Sequence, residues 1–247
     1  MTGLSVPRLR LNPMQFKQPF DFDQEFAGHF SSAIRETEMT SGFQMESWMT
    51  AGFRPKQNAG WWQSNGPEMA RAYAKWYRAN PDINVWVTPD GVPAIELEVE
   101  VKFGNHPVKA AIDQVLVAGT AGLILDLKSG GHVPEDPAQL GMYACCVELR
   151  YGWRPRYGAY FMARGIRNKQ KEITGYLTQP IELDGPQYSV EWYTRQLDQL
   201  DDAEKSGIYL PKLSSMCRMC GVNRACTAYG GQEAHVHDPD HPMNLTR

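Results

Sequence analysis

The sequence predicts an α/β fold, a small mixed β-sheet flanked by helices. Two neighbouring aliphatic segments, 110–118 and 121–127, are separated by a Gly-rich turn and are typical of buried sheet strands. A strictly alternating segment, 94–103, precedes them, and segments with apolar residues at helical spacing lie on both sides. The length of 247 residues suits one such domain with elaborations.

Two helices are predicted before the sheet begins, with irregular segments at 1–20 and a loop with short helical pieces at 40–62. Phe26, Phe30 and Ile34 recur at helical spacing and predict a helix over 22–39. A second helix is expected to begin within 64–68, because Ser or Asn can cap it and Pro67 suits a first turn. Strands follow at 84–88 and 94–103, where the alternation of apolar residues with Glu predicts one buried and one acidic face.

The C-terminal half continues with the same two kinds of element. A loop rich in Gly and Pro feeds a helix predicted over 136–151. Strands are predicted at 157–163 and 171–183, and an amphipathic helix at 186–205. We expect three regions packed as one unit: 1–63, helical and irregular; 64–210, the sheet with its helices; and 211–247, a Cys-containing end with a polar tail.

Composition excludes several classes of protein. No apolar run is long enough to span a bilayer, and the first residues lack the apolar core of a signal peptide. We therefore expect a soluble, cytoplasmic protein. The net charge of −3 does not indicate a nucleic-acid binder, so any basic surface must be local. The five Cys suggest metal ligands or buried thiols rather than a disulfide framework.

Ionisable residues inside the two aliphatic segments need a physical reason. Asp113 lies in the first, and Asp126 and Lys128 end the second. Residues two apart on a strand share a face, and an antiparallel turn at 119–120 would bring Asp113 close to Asp126. Carboxylates that hold Mg²⁺ or Mn²⁺ beside an ammonium suit phosphodiester hydrolysis. A solvated surface pair is the alternative.

This arrangement resembles the PD-(D/E)XK nuclease superfamily, in which an Asp precedes a D/E-x-K strand. A helix with Q-x-x-x-Y, here Gln139 to Tyr143, follows, and this is similar to the RecB-like branch. The resemblance implies a restriction-endonuclease-like core. It also implies that Asp113 and Asp126 bind the metal, that Lys128 positions the attacking water, and that Gln139 and Tyr143 hold the DNA backbone.

A further carboxylate ligand is implied by the same resemblance. Related nucleases carry a His or a Glu on a helix before the sheet, and Glu68 is the best match. Alternatively, Glu68 is simply an acid favoured by the positive end of the helix dipole. Glu98 and Glu100 are weaker candidates, since a row of Glu is most simply a solvated face.

Residues 150–171 contain cations and aromatic residues but no acid. Cations can contact phosphates, and aromatic faces can stack on unpaired bases. The segment therefore predicts contact with single-stranded DNA or strand ends, although some of its aromatic residues must belong to a strand. The candidate DNA-binding residues are Arg150, Arg154, Arg156, Tyr157 and Arg164.

Three cysteines, Cys217, Cys220 and Cys226, form a C-x₂-C-x₅-C pattern that points to a structural metal clip. The same spacing closes the nuclease domain of iron–sulfur members of the RecB-like branch, which implies a [4Fe-4S] cluster; Zn²⁺ is the alternative. The fourth ligand stays open. The candidates are His29, Cys145, Cys146, His235 and His237.

The function that the resemblance implies is a Mg²⁺- or Mn²⁺-dependent DNA exonuclease acting in recombination, repair or end processing. A homo-oligomer or a partner protein of those processes is possible for such an enzyme. Two alternatives stay open: a non-catalytic nucleic-acid-binding module with the same fold, and an endonuclease of the same superfamily.

Overall fold

A mixed β-sheet organises the protein. The computed structural model describes residues 21–45, 58–167, 173–208, 212–214, 217, 220 and 222–231. The chain divides into two compact units, Thr2–Leu197 and Asp198–Arg247. The whole sheet belongs to the first unit, and the cysteine pattern belongs to the second. The region boundaries expected from the sequence stay a prediction.

The described elements follow one another as two helices, four strands, one helix, three strands and a last helix. The helices are α1 (Phe22–Ser41), α2 (Ala59–Ala79), α3 (Ala138–Tyr151) and α4 (Val190–Lys205). The strands are β1 (Ile83–Val85), β2 (Ile95–Phe103), β3 (His106–Ala118), β4 (Ala121–Lys128), β5 (Tyr157–Arg167), β6 (Ile173–Leu177) and β7 (Ile181–Glu182). A short 3₁₀ helix, Pro186–Tyr188, precedes α4. None of these described helices combines the length and apolarity needed to cross a membrane.

The strand order is β1-β3-β4-β5-β6, with β2 also paired to β3 and β7 to β5. The β4–β5 pair is parallel and the others are antiparallel, which confirms the predicted mixed sheet. Parallel neighbours need a crossover connection, and α3 provides it between β4 and β5. The candidate residues therefore lie at the carboxyl end of β4, with Asp126 and Lys128, and on the crossover helix, with Gln139 and Tyr143.

Helices cover both faces of the sheet. On the α2 face, Tyr73 and Ala74 pack with Leu116, Leu125 and Phe161. The α3 face has the larger cluster, which joins α3 and Tyr193 of α4 to the sheet. Alternation on β4 and β5 divides the strands between these layers: Ile124, Tyr160 and Met162 belong to the α3 face, whereas Leu125, Ala159 and Phe161 belong to the α2 face. Flanking helices on both faces confirm this part of the expected core.

The alternation of side chains between the two faces of the sheet shifts at one place along the β2–β3 pair. Ile112 and Val115 are three residues apart, yet both lie in the cluster on the α3 face. Side chains of a regular strand alternate, so the alternation must shift between them. The register is kept, with Leu97 opposite Ile112 and Ile95 opposite Gln114, which puts Glu96 opposite Asp113. Glu96 has a φ of 48°, a left-handed conformation that is costly for a non-glycine residue.

Several predicted boundaries were wrong for identifiable reasons. Helix α2 begins at Ala59, ahead of the predicted start, because the Asn58 side chain caps it by accepting a hydrogen bond from Trp61 N at 3.0 Å. Pro67 lies inside the helix rather than in its first turn. The next residue back, Gly66, lets α1 approach closely, since a Cβ there would lie 2.0 Å from the Phe26 ring. The predicted strand 171–183 consists of two short strands, β6 and β7.

A buried polar contact joins α2 to β3 next to Asp113. The Tyr73 hydroxyl donates a hydrogen bond to Oε1 of Gln114, and both side chains are almost fully buried. Burial raises the pKa of Tyr73, so the phenol stays protonated and keeps its role as donor. This contact turns Gln114 toward the α2 face at the position where β3 changes face.

We predict that Tyr73→Phe lowers the free energy of unfolding by about 1–3 kcal/mol, because the buried Gln114 oxygen loses its hydroxyl donor. Denaturant titration of the wild type and the variant measures this difference. The double variant Tyr73→Phe/Gln114→Leu should recover part of the loss, since both polar partners are then removed. Tyr176→Phe, at a 38% exposed position, is the control. An unchanged denaturation midpoint for Tyr73→Phe would refute the contribution of this hydrogen bond.

Candidate active site

The two candidate aspartates lie where the backbone pairing of β3 and β4 ends. The β3–β4 register runs from Ala118 opposite Ala121 to Gln114 opposite Leu125. One further step of that register puts Asp113 opposite Asp126. Instead of continued backbone pairing, Leu127 N donates a hydrogen bond to Oδ2 of Asp113 at 2.8 Å. The strand register therefore places Asp113 beside Asp126, as predicted.

Asp126 is the most buried ionisable residue of the candidate site. It is 3% exposed, and its Oδ2 lies 2.6 Å from Nζ of Lys128. Strand alternation puts both side chains on the same face, as predicted, and Ile124 identifies it as the α3 face. The Lys128 side chain keeps 29% of its surface exposed. A buried carboxylate is thus paired with a cation that reaches solvent, unlike the solvated surface pair considered as the alternative.

Helix α3 completes a chain of contacts that begins at Asp126. Lys128 Nζ donates to Oε1 of Gln139 at 3.5 Å, and Nε2 of Gln139 donates to the Tyr143 hydroxyl at 2.9 Å. Gln139 and Tyr143 share one helix face because they are four residues apart. The structure therefore brings Asp126, Lys128, Gln139 and Tyr143 together, with Asp113 on the neighbouring strand. Their catalytic roles stay predictions.

The beginning of α3 is fixed by hydrogen bonds from three directions. Oδ1 of Asp136 accepts from Ala138 N at 2.8 Å, and the Tyr193 hydroxyl donates to the Ala138 carbonyl at 2.6 Å. The Tyr160 hydroxyl donates to the Asp136 carbonyl at 3.4 Å. These contacts set the position from which Gln139 reaches Lys128.

Tyr160 is a residue that the sequence interpretation missed. It lies opposite Asp126 in the parallel β4–β5 pair, and Lys128 Nζ is 5.7 Å from the centre of its ring. Burial, followed by the negative charge of Asp126, raises the pKa of Tyr160 to about 12. The phenol is therefore neutral at physiological pH and forms an apolar wall beside the ion pair. Parallel pairing across a helical crossover leaves no local signal in the sequence.

Glu68 is not assembled with the two aspartates. Its Oε1 lies 2.6 Å from Nη1 of Arg71, and Arg71 also pairs with Asp23 of α1. Glu98 and Glu100 are exposed and pair with Lys109 at 3.5 and 3.3 Å, as a solvated acidic face would. Within the described ranges, no group of three or more His, Cys, Asp or Glu residues is arranged to hold a metal ion. Glu68 as a metal ligand stays a prediction that would require this carboxylate to leave Arg71.

The donors at the aspartate pair nevertheless suit a hard divalent cation. Mg²⁺ in nucleic-acid enzymes is commonly bound by one or two carboxylates together with waters and substrate phosphates. Asp113 and Asp126 supply such oxygens from neighbouring strands. Lys128 already compensates the charge on Asp126, so a cation and this ammonium would share the same anion.

The candidate DNA-binding residues have different environments. Arg154 is half-buried and makes internal contacts, an ion pair with Glu148 at 2.6 Å and hydrogen bonds to the carbonyls of Leu183 and Tyr188. Arg156 is exposed and pairs with Asp184 at 2.6 Å. These contacts favour a structural role, for Arg154 in particular.

The remaining members of that group contact aromatic or apolar surroundings. The Arg150 guanidinium lies 5.6 Å from the centre of the Tyr151 ring, and Arg164 lies 5.0 Å from that of Trp61. Tyr157 lines an open apolar pocket beside the β3–β4 turn. DNA binding by all five residues stays a prediction.

Two backbone hydrogen bonds lie in the cysteine pattern: Cys220 N donates to the Cys217 carbonyl at 3.2 Å, and Asn223 N donates to the Cys220 carbonyl at 3.1 Å. Cys217 and Cys226 are half-buried and Cys220 is exposed. All three are described residues, and they are not gathered into a group that could hold a metal. The predicted metal clip and its [4Fe-4S] cluster are therefore not supported.

The candidates for a fourth ligand give no further support. Cys145 and Cys146 are buried in the sheet-containing unit, where burial raises the pKa of both thiols, that of Cys146 to about 12. They behave as small core residues. His29 is largely exposed and lies 3.8 Å from Glu25. His235 and His237 lie outside the described residues.

Comparison with known proteins places these features in a family. A family model of the PD-(D/E)XK nuclease superfamily matches residues 22–227. The gene 69 protein of Mycobacterium phage D29 is 28% identical over 207 residues, which cover 83% of this chain and 73% of that relative. The gene 69 protein of Mycobacterium phage L5 is 30% identical over 141 residues, which cover 56% of this chain and 45% of that relative. The chain therefore belongs to the PD-(D/E)XK nuclease superfamily.

Proposed function

We propose that this protein is a metal-dependent DNA exonuclease of the RecB-like kind. The observation that carries the proposal is the continuous set of contacts from Asp126 through Lys128 and Gln139 to Tyr143, with Asp113 opposite Asp126. Membership of a nuclease superfamily supports hydrolysis of a phosphodiester bond. Both compared relatives are phage proteins, which is compatible with work on phage DNA during recombination, repair or end processing.

In this proposal Asp113 and Asp126 hold Mg²⁺ or Mn²⁺. When bound, such an ion lowers the pKa of water and offsets negative charge on the phosphate. Lys128 orients the attacking water or stabilises charge that develops on the phosphate oxygens, because its ammonium is held beside Asp126 and still reaches solvent. Gln139 and Tyr143 hold the DNA backbone from the face of α3, and Tyr160 keeps bulk water from one side of the ion pair.

We predict that Lys128→Ala lowers the single-turnover cleavage rate by about 10²–10³-fold, the usual cost of losing one preorganised group that stabilises the transition state. Binding of DNA, measured with Ca²⁺ in place of Mg²⁺, should remain. Lys102→Ala, which removes an exposed lysine of β2, is the matched control and should leave cleavage unchanged.

Loss of Lys128 also removes the partner of a buried carboxylate, which costs about 3–5 kcal/mol of stability in comparable pairs. The variant Lys128→Arg keeps the positive charge and separates this effect from catalysis. It should restore the melting temperature while cleavage stays impaired, since a guanidinium has a different shape from an ammonium. Wild-type cleavage by folded Lys128→Ala would show that the site is misassigned.

An exonuclease needs a strand end, and this separates it from an endonuclease of the same superfamily. We expect the protein to degrade a linear single strand with Mg²⁺ or Mn²⁺ and to leave the same sequence intact as a closed circle. The measurement is gel analysis of both substrates over one time course, with Asp126→Asn as the inactive control. Nicking of the circle by the wild type but not by Asp126→Asn would replace the exonuclease proposal with an endonuclease.

The cysteine spacing still argues for a metal clip, although the described thiols are not gathered around one. If the cysteines bind a metal as their spacing indicates, anaerobically purified protein should contain stoichiometric iron, with a brown colour, or zinc without colour. Cys220→Ser should then lose that metal. Protein that contains neither element would remove the clip from the proposal and leave the nuclease site untouched.

A further inference from the structure

An aromatic and basic patch lies outside both core clusters. It consists of Trp61 and Trp62, near the start of α2, and Arg164 of β5, and we refer to these residues as the tryptophan–arginine patch. The guanidinium carbon of Arg164 is 5.0 Å from the centre of the Trp61 ring. The two indoles meet edge to face, with centroids 4.9 Å apart and planes 88° apart. All three residues are half-buried.

A backbone irregularity in β5 holds Arg164 in this position. The register between β5 and β6 shifts between Met162 and Ile166. Gly165 within this shift has a φ of 54°, and a Cβ there would lie 1.5 Å from the Thr174 carbonyl oxygen. Only glycine fits, so the irregularity is built into the sequence. Bulges of this kind commonly redirect a side chain beside a functional site.

The patch lies at the same end of the sheet as the candidate carboxylates. Lys128, the last residue of β4, is opposite Met162 in the parallel β4–β5 pair. Arg164 is two residues further along β5, a distance of about 7 Å at the usual rise of a strand. Helix α2 runs opposite to β5, because Tyr73 packs on Phe161 at 5.2 Å whereas Trp61 meets Arg164, so the beginning of α2 lies at this same end of the sheet.

The chemistry of the patch fits an unpaired nucleotide. A base can stack on an indole face whatever its sequence, and an arginine adds cation–π and phosphate contacts. In duplex DNA the base faces are already stacked on one another, so only an unpaired base offers a free face to an indole. An acidic or apolar protein partner would use only the charge or only the rings, whereas a nucleotide uses both.

We propose that the tryptophan–arginine patch stacks an unpaired base of the DNA strand that enters the candidate site, and so selects single-stranded DNA or frayed ends. This inference rests on the proposed nuclease function for its substrate class. The patch lies beyond Lys128 along the strand direction but on the α2 face, whereas Lys128 lies on the α3 face. A strand bound at both places would therefore pass around this end of the sheet.

The test compares the affinity of the full-length protein for an unstructured oligo(dT) with its affinity for a blunt hairpin duplex, both with Ca²⁺ to prevent cleavage. Trp61→Leu and Arg164→Gln should each weaken oligo(dT) binding by about 5- to 150-fold, the range that one base–aromatic stack contributes. Duplex binding should change by a much smaller factor. Trp61→Phe keeps an aromatic face and should restore most of the affinity.

Trp86→Leu is the matched control, because Trp86 stacks on Trp153 away from the patch. It should leave the ratio of the two affinities unchanged. Equal loss for both substrates in Trp61→Leu, or unchanged oligo(dT) binding, would overturn the proposal. If oligo(dT) binding depends on Trp61 while the wild type cleaves no DNA with Mg²⁺ or Mn²⁺, the patch stands and the nuclease proposal fails.

Discussion

A carboxylate as buried as Asp126 stays ionised only if a positive charge compensates for its lost hydration. Lys128 supplies that charge from the same strand, since residues two apart on a strand lie on the same face. The rest of the candidate site follows from this pair. Gln139 accepts a hydrogen bond from the Lys128 ammonium and donates one to the Tyr143 hydroxyl, and the Tyr160 ring covers one side of the ion pair. The contacts at the beginning of α3 keep the helix within reach of the lysine.

Much of this site could be predicted because its signals are local. Period-2 spacing gave the shared face of Asp126 and Lys128, and a short turn between antiparallel strands gave the approach of Asp113. The i, i+4 spacing gave the common face of Gln139 and Tyr143. Sequence patterns failed where distant segments decide. Tyr160 lies beside Asp126 through a parallel pairing across α3, and Arg154, read as a DNA contact, reaches carbonyls far along the chain.

The helix boundaries show the same division between local and distant causes. Pro67 favoured a helix start near residue 64, yet the cap at Asn58 and the close contact of Gly66 with Phe26 place this proline within α2. Because α2 begins earlier than predicted, Trp61 is part of this helix, from which it contacts Arg164. Nothing in the spacing of the cysteines revealed that, among the described residues, they do not form a group that could hold a metal, because the path of a loop depends on its packing.

The ammonium of Lys128 also acts as a resident counterion for Asp126. Domains that rely on a metal to neutralise their ligands remain unfolded until the metal arrives. Here the neutralising charge belongs to the chain itself, so neutralisation of Asp126 in the folded sheet does not require a divalent ion. If the two aspartates bind a cation as proposed, its binding and release would occur in a scaffold that is already folded, and would depend on ion supply and substrate rather than on assembly.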